Sequence, residues 1–133
     1  MKSLKANVTK GLQKGSFLVA CDNSGAKILW VISFRGGKGT KGRKPCGGVG
    51  DYITASVKSG IPEMRKKVVN AVIVRQTKEY KRRDGTRIKF EDNAAVVLKD
   101  EKGNPKGTII KGPIAKEIVE RWPAVSKIAK AVV

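Results

Sequence analysis

Residues 68 to 90 read VVNAVIVRQTKEYKRRDGTRIKF, and the stretch changes character half-way. From Val68 to Gln76 apolar side chains occupy both alternations around Asn70, the pattern of a strand covered on its two faces. Beyond Arg75 the composition turns polar and basic, with Asp84-Gly85 at the centre of a short hairpin signal. The reading is a central strand that runs on into a ribbon over residues 77–91, leaving the sheet for solvent or a partner. With a two-residue Asp84-Gly85 loop, Arg83 faces Thr86 and Arg82 faces Arg87. Like charges directly opposite repel, so that register calls for an anion from outside the chain.

Working outward, FLVAC (17–21) and ILWVISF (28–34) are rich in β-branched and aromatic residues and flank the turn formers of DNSGAK, which predicts a hairpin. DYITASVK alternates Ile53, Ala55 and Val57 with Tyr52, Thr54 and Ser56, a half-buried strand. AAVVL (94–98) is a further core strand, and TII (108–110) a short closing one. Between them, RGGKGTKGRKPCGGVGD holds seven glycines and five cations with little apolar surface, and reads as a long mobile loop over 35–50. Residues 1–15 carry Lys2, Lys5, Lys10 and Lys14 without an acid and read as a basic arm, ordered only in part. Helical spacing is confined to 112–131, where Pro113 suits a first helical position and Ile114, Ile118, Val119 and Trp122 share a face. Pro123 then ends that helix and opens a second. The expected fold is therefore mainly β: one domain over 1–133, a small closed five-stranded antiparallel β-barrel with a projecting β-ribbon and two short C-terminal helices.

The charge balance narrows the function. Twenty-nine Lys+Arg against 11 Asp+Glu give a formal net charge of +18. Self-repulsion at that excess costs stability, and a polyanion, nucleic acid above all, is the partner that relieves it. With no histidine, His-dependent triads and Cys/His zinc sites are excluded. Cys21 and Cys46 are too far apart in sequence for a C-x-x-C pair, and Cys21 lies in an apolar run as a small core residue. GGKG lacks the spacing of a phosphate-cradling loop. Asp22, Asp84 and Asp92 sit in turn sequences and are read as caps of backbone amides, Glu117 and Glu120 as members of a polar helix face, and Trp30 and Trp122 as core anchors. No acid, base and nucleophile assemble, so neither enzyme nor cofactor nor metal is expected. No apolar run is long enough to span a membrane and the start lacks a signal-peptide centre, so the expected setting is the cytoplasm, with reduced thiols.

The sequence from Ala71 to Val97, AVIVRQTKEYKRRDGTRIKFEDNAAVV, resembles the signature region of the universal large-subunit ribosomal protein L fourteen family. The resemblance runs through Val72-Ile73-Val74, a basic spacer, Asp84-Gly85, then Phe90, Asn93, Val96 and Val97. CDNSGAK (21–27), VGDYITASVKSGIPEMRKKV (49–68) and KGPIAKEIVERWP (111–123) are similar to the family's other blocks, in the same order. The basic spacer, Asp92-Asn93 and the ending WPAVSKIAKAVV resemble archaeal and eukaryotic members more than bacterial ones. The resemblance implies a structural constituent of the large ribosomal subunit. It implies binding to large-subunit rRNA, contacts with neighbouring ribosomal proteins, bridges to small-subunit rRNA, and docking of an anti-association factor at the C-terminal helices.

Charge supplies the candidate residues for rRNA binding, and the resemblance carries over to Arg65, Lys66, Lys67, Arg75, Arg82, Arg83 and the turn Asp84-Gly85 among them. The loop offers Lys38, Lys41, Arg43 and Lys44, on charge alone; a second cluster is Arg65, Lys66 and Lys67; the ribbon offers Arg75, Lys78, Lys81, Arg82, Arg83, Arg87 and Lys89 around the turn Asp84-Gly85. Tyr80 is placed either in ribbon packing or as a stacking platform for an unpaired base. On this reading Arg82→Ala with Arg83→Ala weakens RNA binding and leaves the melting temperature nearly unchanged. A free-standing single-strand-binding barrel is the rival reading. It needs aromatic platforms, and aromatics are only 5% of the chain.

Overall fold

The computed structural model describes residues 2–37 and 39–133. In chain order, β1 (Leu12–Gln13), β2 (Phe17–Ala20), β3 (Ala26–Phe34), β4 (Cys46–Gly47), β5 (Tyr52–Gly60) and β6 (Val68–Arg75) come first. There follow β7 (Tyr80–Lys81), β8 (Arg87–Ile88), β9 (Ala94–Leu98), β10 (Pro113–Ile114), helices α1 (Glu117–Arg121) and α2 (Pro123–Ser126), and β11 (Ala131–Val132). Five strands close into a barrel in the order β2-β3-β5-β6-β9. Four seams are antiparallel as expected, and the fifth, β2 with β9 through Val19↔Ala94 and Ala20↔Ala95, is parallel. The reason is parity: strands alternating up and down in odd number must meet a like-directed neighbour when the sheet closes.

Two cores explain the doubly apolar strands. Inward side chains Leu18, Leu29, Val31, Ile53, Val57, Ile73 and Val97 fill the barrel, with Ala55, Ala71 and Ala95 giving the small volumes a narrow interior needs. The outward set, Val72 and Val74 of β6 with Ala94, Val96 and Leu98 of β9, packs beneath Ile110, Ile114, Ile118, Trp122 and Val125. The C-terminal segment is thus a lid over one outer face of the barrel. Its Trp122 is pinned by an Nε1–H bond of 2.8 Å to the Gly50 carbonyl and lies 5.9 Å from the Tyr52 ring. Cys21 is buried in this second core, and burial pushes its thiol up to about 12.

Several local expectations give way to long-range pairing. Pro113 does not open a helix: Pro113–Ile114 is extended and pairs in parallel with Ala131–Val132, so α1 starts only at Glu117. Ile110 joins no barrel strand; it is buried through a single bridge to Asp22. The arm is more ordered than its charge suggests, because Leu12 enters the barrel core, Val8 packs on the second core, and β1 pairs with β4. That last pair also gives the glycine-rich loop one strand of its own.

Candidate nucleic-acid interface

β7 and β8 form a two-stranded sheet outside the barrel, as expected, but the turn is one residue longer. The Arg82 amide donates to the Thr86 carbonyl at 2.8 Å and the Gly85 amide to the Arg82 carbonyl at 3.0 Å. Only Gly85 has positive φ, at 92°, so the loop is Arg83-Asp84-Gly85 in the bulged three-residue form rather than a type I′ turn. Asp84 secures it by accepting from the Thr86 amide and hydroxyl at 2.9 and 2.7 Å. Arg82 therefore faces Thr86, and the opposed cations are Lys81 and Arg87.

Arg82 has its anion inside the chain. Its Nε stands 2.9 Å from Glu117 Oε1, and its Nη2 donates to the Val133 carbonyl at 2.6 Å. Tyr80, fully buried, donates its hydroxyl to Glu117 Oε2 at 2.8 Å. Burial first, then that hydrogen bond, raise the Tyr80 phenol well above its ordinary pKa. Glu117 is thus no member of a polar helix face: its side chain is 6% exposed and receives both Tyr80 and Arg82 of the ribbon. Glu120, one turn on, is exposed and pairs with Lys5 at 3.3 Å.

Arg75 is likewise structural. Its side chain is 9% exposed, with Nε 2.9 Å from Asp92 Oδ1 and Nη1 donating to the carbonyls of Lys111 and Pro113 at 2.9 and 3.1 Å. This guanidinium ties the end of β6 to β10, and it uses Asp92 for a side-chain ion pair rather than a backbone cap. Asp22 and Asp84 do cap amides, Asp22 from a buried position where Oδ2 accepts from Val97 at 3.1 Å. Burial raises the Asp22 carboxyl pKa. Gln76 is a hub the sequence did not reveal. Fully buried, it accepts from Val49 N and donates to the carbonyls of Thr9 and Lys78, joining arm, loop and ribbon.

The remaining candidates stand free. Lys41, Arg43, Lys44, Arg65, Lys66, Lys67, Lys81, Arg83, Arg87 and Lys89 are exposed, and none pairs with a carboxylate among the described residues. Lys78 is exposed beside Glu79 at 3.5 Å, and Lys38 lies outside the described residues. In the loop, Arg43 holds the neighbouring Thr40, through Nη2 to Oγ1 at 3.1 Å, while Arg35 Cζ stands over the Tyr52 ring, 3.9 Å from its centroid. Trp30, expected in the core, is half-exposed on the outside of β3 with Lys58 Nζ 5.2 Å from its ring centroid. This is an array of cations held on a closed barrel.

The family model of ribosomal protein L14p/L23e matches residues 11–133. The chain belongs to that family. It is 55% identical over 132 residues to large ribosomal subunit protein uL14 of Methanococcus maripaludis, covering 99% of both chains. The proteins of the same name from Haloarcula marismortui and Nanoarchaeum equitans are 53% and 51% identical over 133 residues, end to end. These relatives are archaeal, in keeping with the branch that the basic spacer and the C-terminal ending resemble. Across this L14p/L23e chain, the residues that sequence reasoning missed are Glu117, Gln76 and Asp92, each partnered through distant segments.

Proposed function

We propose that this chain is a structural constituent of the large ribosomal subunit that binds large-subunit rRNA. The carrying observation is the set of exposed cations Lys41, Arg43, Lys44, Arg65, Lys66, Lys67, Lys81, Arg83, Arg87 and Lys89, none paired with a carboxylate among the described residues, on a barrel that belongs to a ribosomal protein family. Such cations neutralise phosphates and release counterions, while a closed barrel fixes where each charge stands. Arg75 and Arg82 serve that end indirectly, by holding ribbon and lid in place. The outer surface of ribbon and lid is the part we assign to further contacts: neighbouring large-subunit proteins, small-subunit rRNA at intersubunit bridges, and an anti-association factor at α1 and α2. The ribosome's setting is the cytoplasm, and among the described residues no helix is long and apolar enough to cross a membrane.

The test is equilibrium binding of the full chain to large-subunit rRNA at cellular ionic strength, with a neutral polymer as reference. Tight, salt-sensitive binding to the RNA is expected. Equal affinity for the two would overturn the proposal.

A further inference from the structure

The lid covers one outer face of the barrel and leaves another bare. On β2 and β3 the outward side chains are Phe17, Val19, Ile28 and Trp30, with Phe17 61% exposed. Register places Phe17 directly opposite Trp30, and Trp30 opposite Ser56 on the other side. Apolar and aromatic side chains on a sheet face that none of the described residues covers are an unpaired surface.

The Trp30 end of that surface is not simply apolar. It forms a wall of an open cleft of about 480 Å³ whose other walls include Lys14, Gly15, Arg43, Lys44 and Pro45. Gly15 borders the edge of the indole without covering it; a Cβ there would stand 3.9 Å from Nε1. Among the described residues three cations and no acid line the cleft, and Lys58 adds a further cation beside the ring. An aromatic plane among cations matches one chemistry well: a nucleotide with its base out of the helix, the ring facing the base and the ammonium and guanidinium groups facing phosphate. An apolar protein segment would satisfy Phe17 and Val19 but leave Lys14, Arg43 and Lys44 without counter-charges. A duplex would satisfy the cations, but its bases are stacked inside and cannot reach the indole.

We infer that the cleft between β3 and the 39–45 segment is a binding site for an unpaired nucleotide of RNA, with Trp30 as its stacking platform and Lys14, Arg43 and Lys44 as its phosphate contacts. The inference rests on the rRNA-binding reading and adds what that reading lacks, a place where a base rather than the backbone is engaged. The sequence offered Tyr80 as a stacking platform; the folded chain buries Tyr80 and puts Trp30 beside cations instead.

The experiment compares wild type, Trp30→Ala and Trp30→Phe on two RNAs of equal length, one a stem closed by an unpaired loop and the other fully paired. Thermal melting of each variant verifies that it is folded. Loss of one base stack weakens loop binding on the order of ten-fold in Trp30→Ala, with duplex binding unchanged and Trp30→Phe close to wild type. Trp30→Ala binding both RNAs like wild type would overturn the inference and leave rRNA binding standing. So would an equal loss for both RNAs, which would make the ring a support of the fold. Unchanged binding to both RNAs, joined with failure to rejoin salt-stripped large subunits, would assign the face to a neighbouring protein instead. Wild type that binds neither RNA would remove the rRNA-binding reading itself.

Discussion

The hairpin at 77–91 and the loop at 35–50 look alike as sequence, each a glycine-containing run dense in cations, yet the folded chain treats them in opposite ways. The hairpin's key arginine is consumed internally: Arg82 meets Glu117 at 2.9 Å and Tyr80 meets the same carboxylate at 2.8 Å. In the loop, Lys41, Arg43 and Lys44 have no carboxylate partner among the described residues. Local density of positive charge therefore does not separate a structural cation from a free one. What separates them is a buried acceptor supplied by a distant segment.

The largest effect expected from this difference is on stability. Glu117→Ala leaves the Tyr80 hydroxyl without its acceptor and the Arg82 guanidinium without its counter-charge in a largely buried setting, a loss of about 3 to 5 kcal/mol. Thermal melting should show a large drop, and Arg82→Ala, which strands Glu117, a substantial one. That outcome reverses the expectation that Arg82→Ala with Arg83→Ala spares the melting temperature; a wild-type melt for Arg82→Ala would erase the contrast drawn here.

Next in size is Gly112→Ala. Gly112 has φ of 81°, and an added Cβ would land on Arg75 Nη1, whose hydrogen bonds tie β6 to β10. Strain alone costs about 1–2 kcal/mol, and displacement of the guanidinium adds to it. Denaturant unfolding measures the sum, and a neutral result would show that the Arg75 tie is dispensable.

A third expectation concerns alkaline pH. The folded chain holds the Tyr80 proton well above the ordinary tyrosine range while the unfolded chain releases it near pH 10. The unfolded state then binds fewer protons, so stability falls as pH rises past about 10, by up to about 1.4 kcal/mol per pH unit from this group. Below that pH the contribution is fully present. Tyr80→Phe should flatten this part of the profile relative to wild type. The smallest effect belongs to the loop: Arg43→Ala with Lys44→Ala should shift unfolding by no more than about 0.5 kcal/mol, as ordinary exposed positions do.

The barrel was legible because strand burial writes itself into a period of two. VVNAVIVRQ and AAVVL are apolar on both alternations, and both prove covered on two sides, by barrel core and lid. The ribbon's existence was equally plain from Asp84-Gly85, but its register was not. That dipeptide serves two-residue and three-residue loops alike, and Asp84 taking the Thr86 amide, with Gly85 alone at positive φ, selects the longer one. Glu117 was misread because its neighbours Lys116 and Glu120 are polar, and its partner Tyr80 is 37 residues away. Pro113 was misread because it can open a helix, and nothing local announces that Ala131–Val132 returns to pair beside it. Of the candidate site, the free cations were visible as composition, whereas the internal pairing of Arg75 and Arg82 needed the carboxylates of Asp92 and Glu117 placed in space.

The most direct test of the account is the salt dependence of binding to large-subunit rRNA, read as the slope of log affinity against log salt. A chain carrying Lys41→Ala, Arg43→Ala and Lys44→Ala should have a shallower slope than wild type, by about 0.7–0.9 for each phosphate contact removed. Arg82→Gln, measured where it remains folded, should keep the wild-type slope, because its charge is already spent on Glu117. A slope unchanged in the loop variant and reduced by Arg82→Gln would contradict the account.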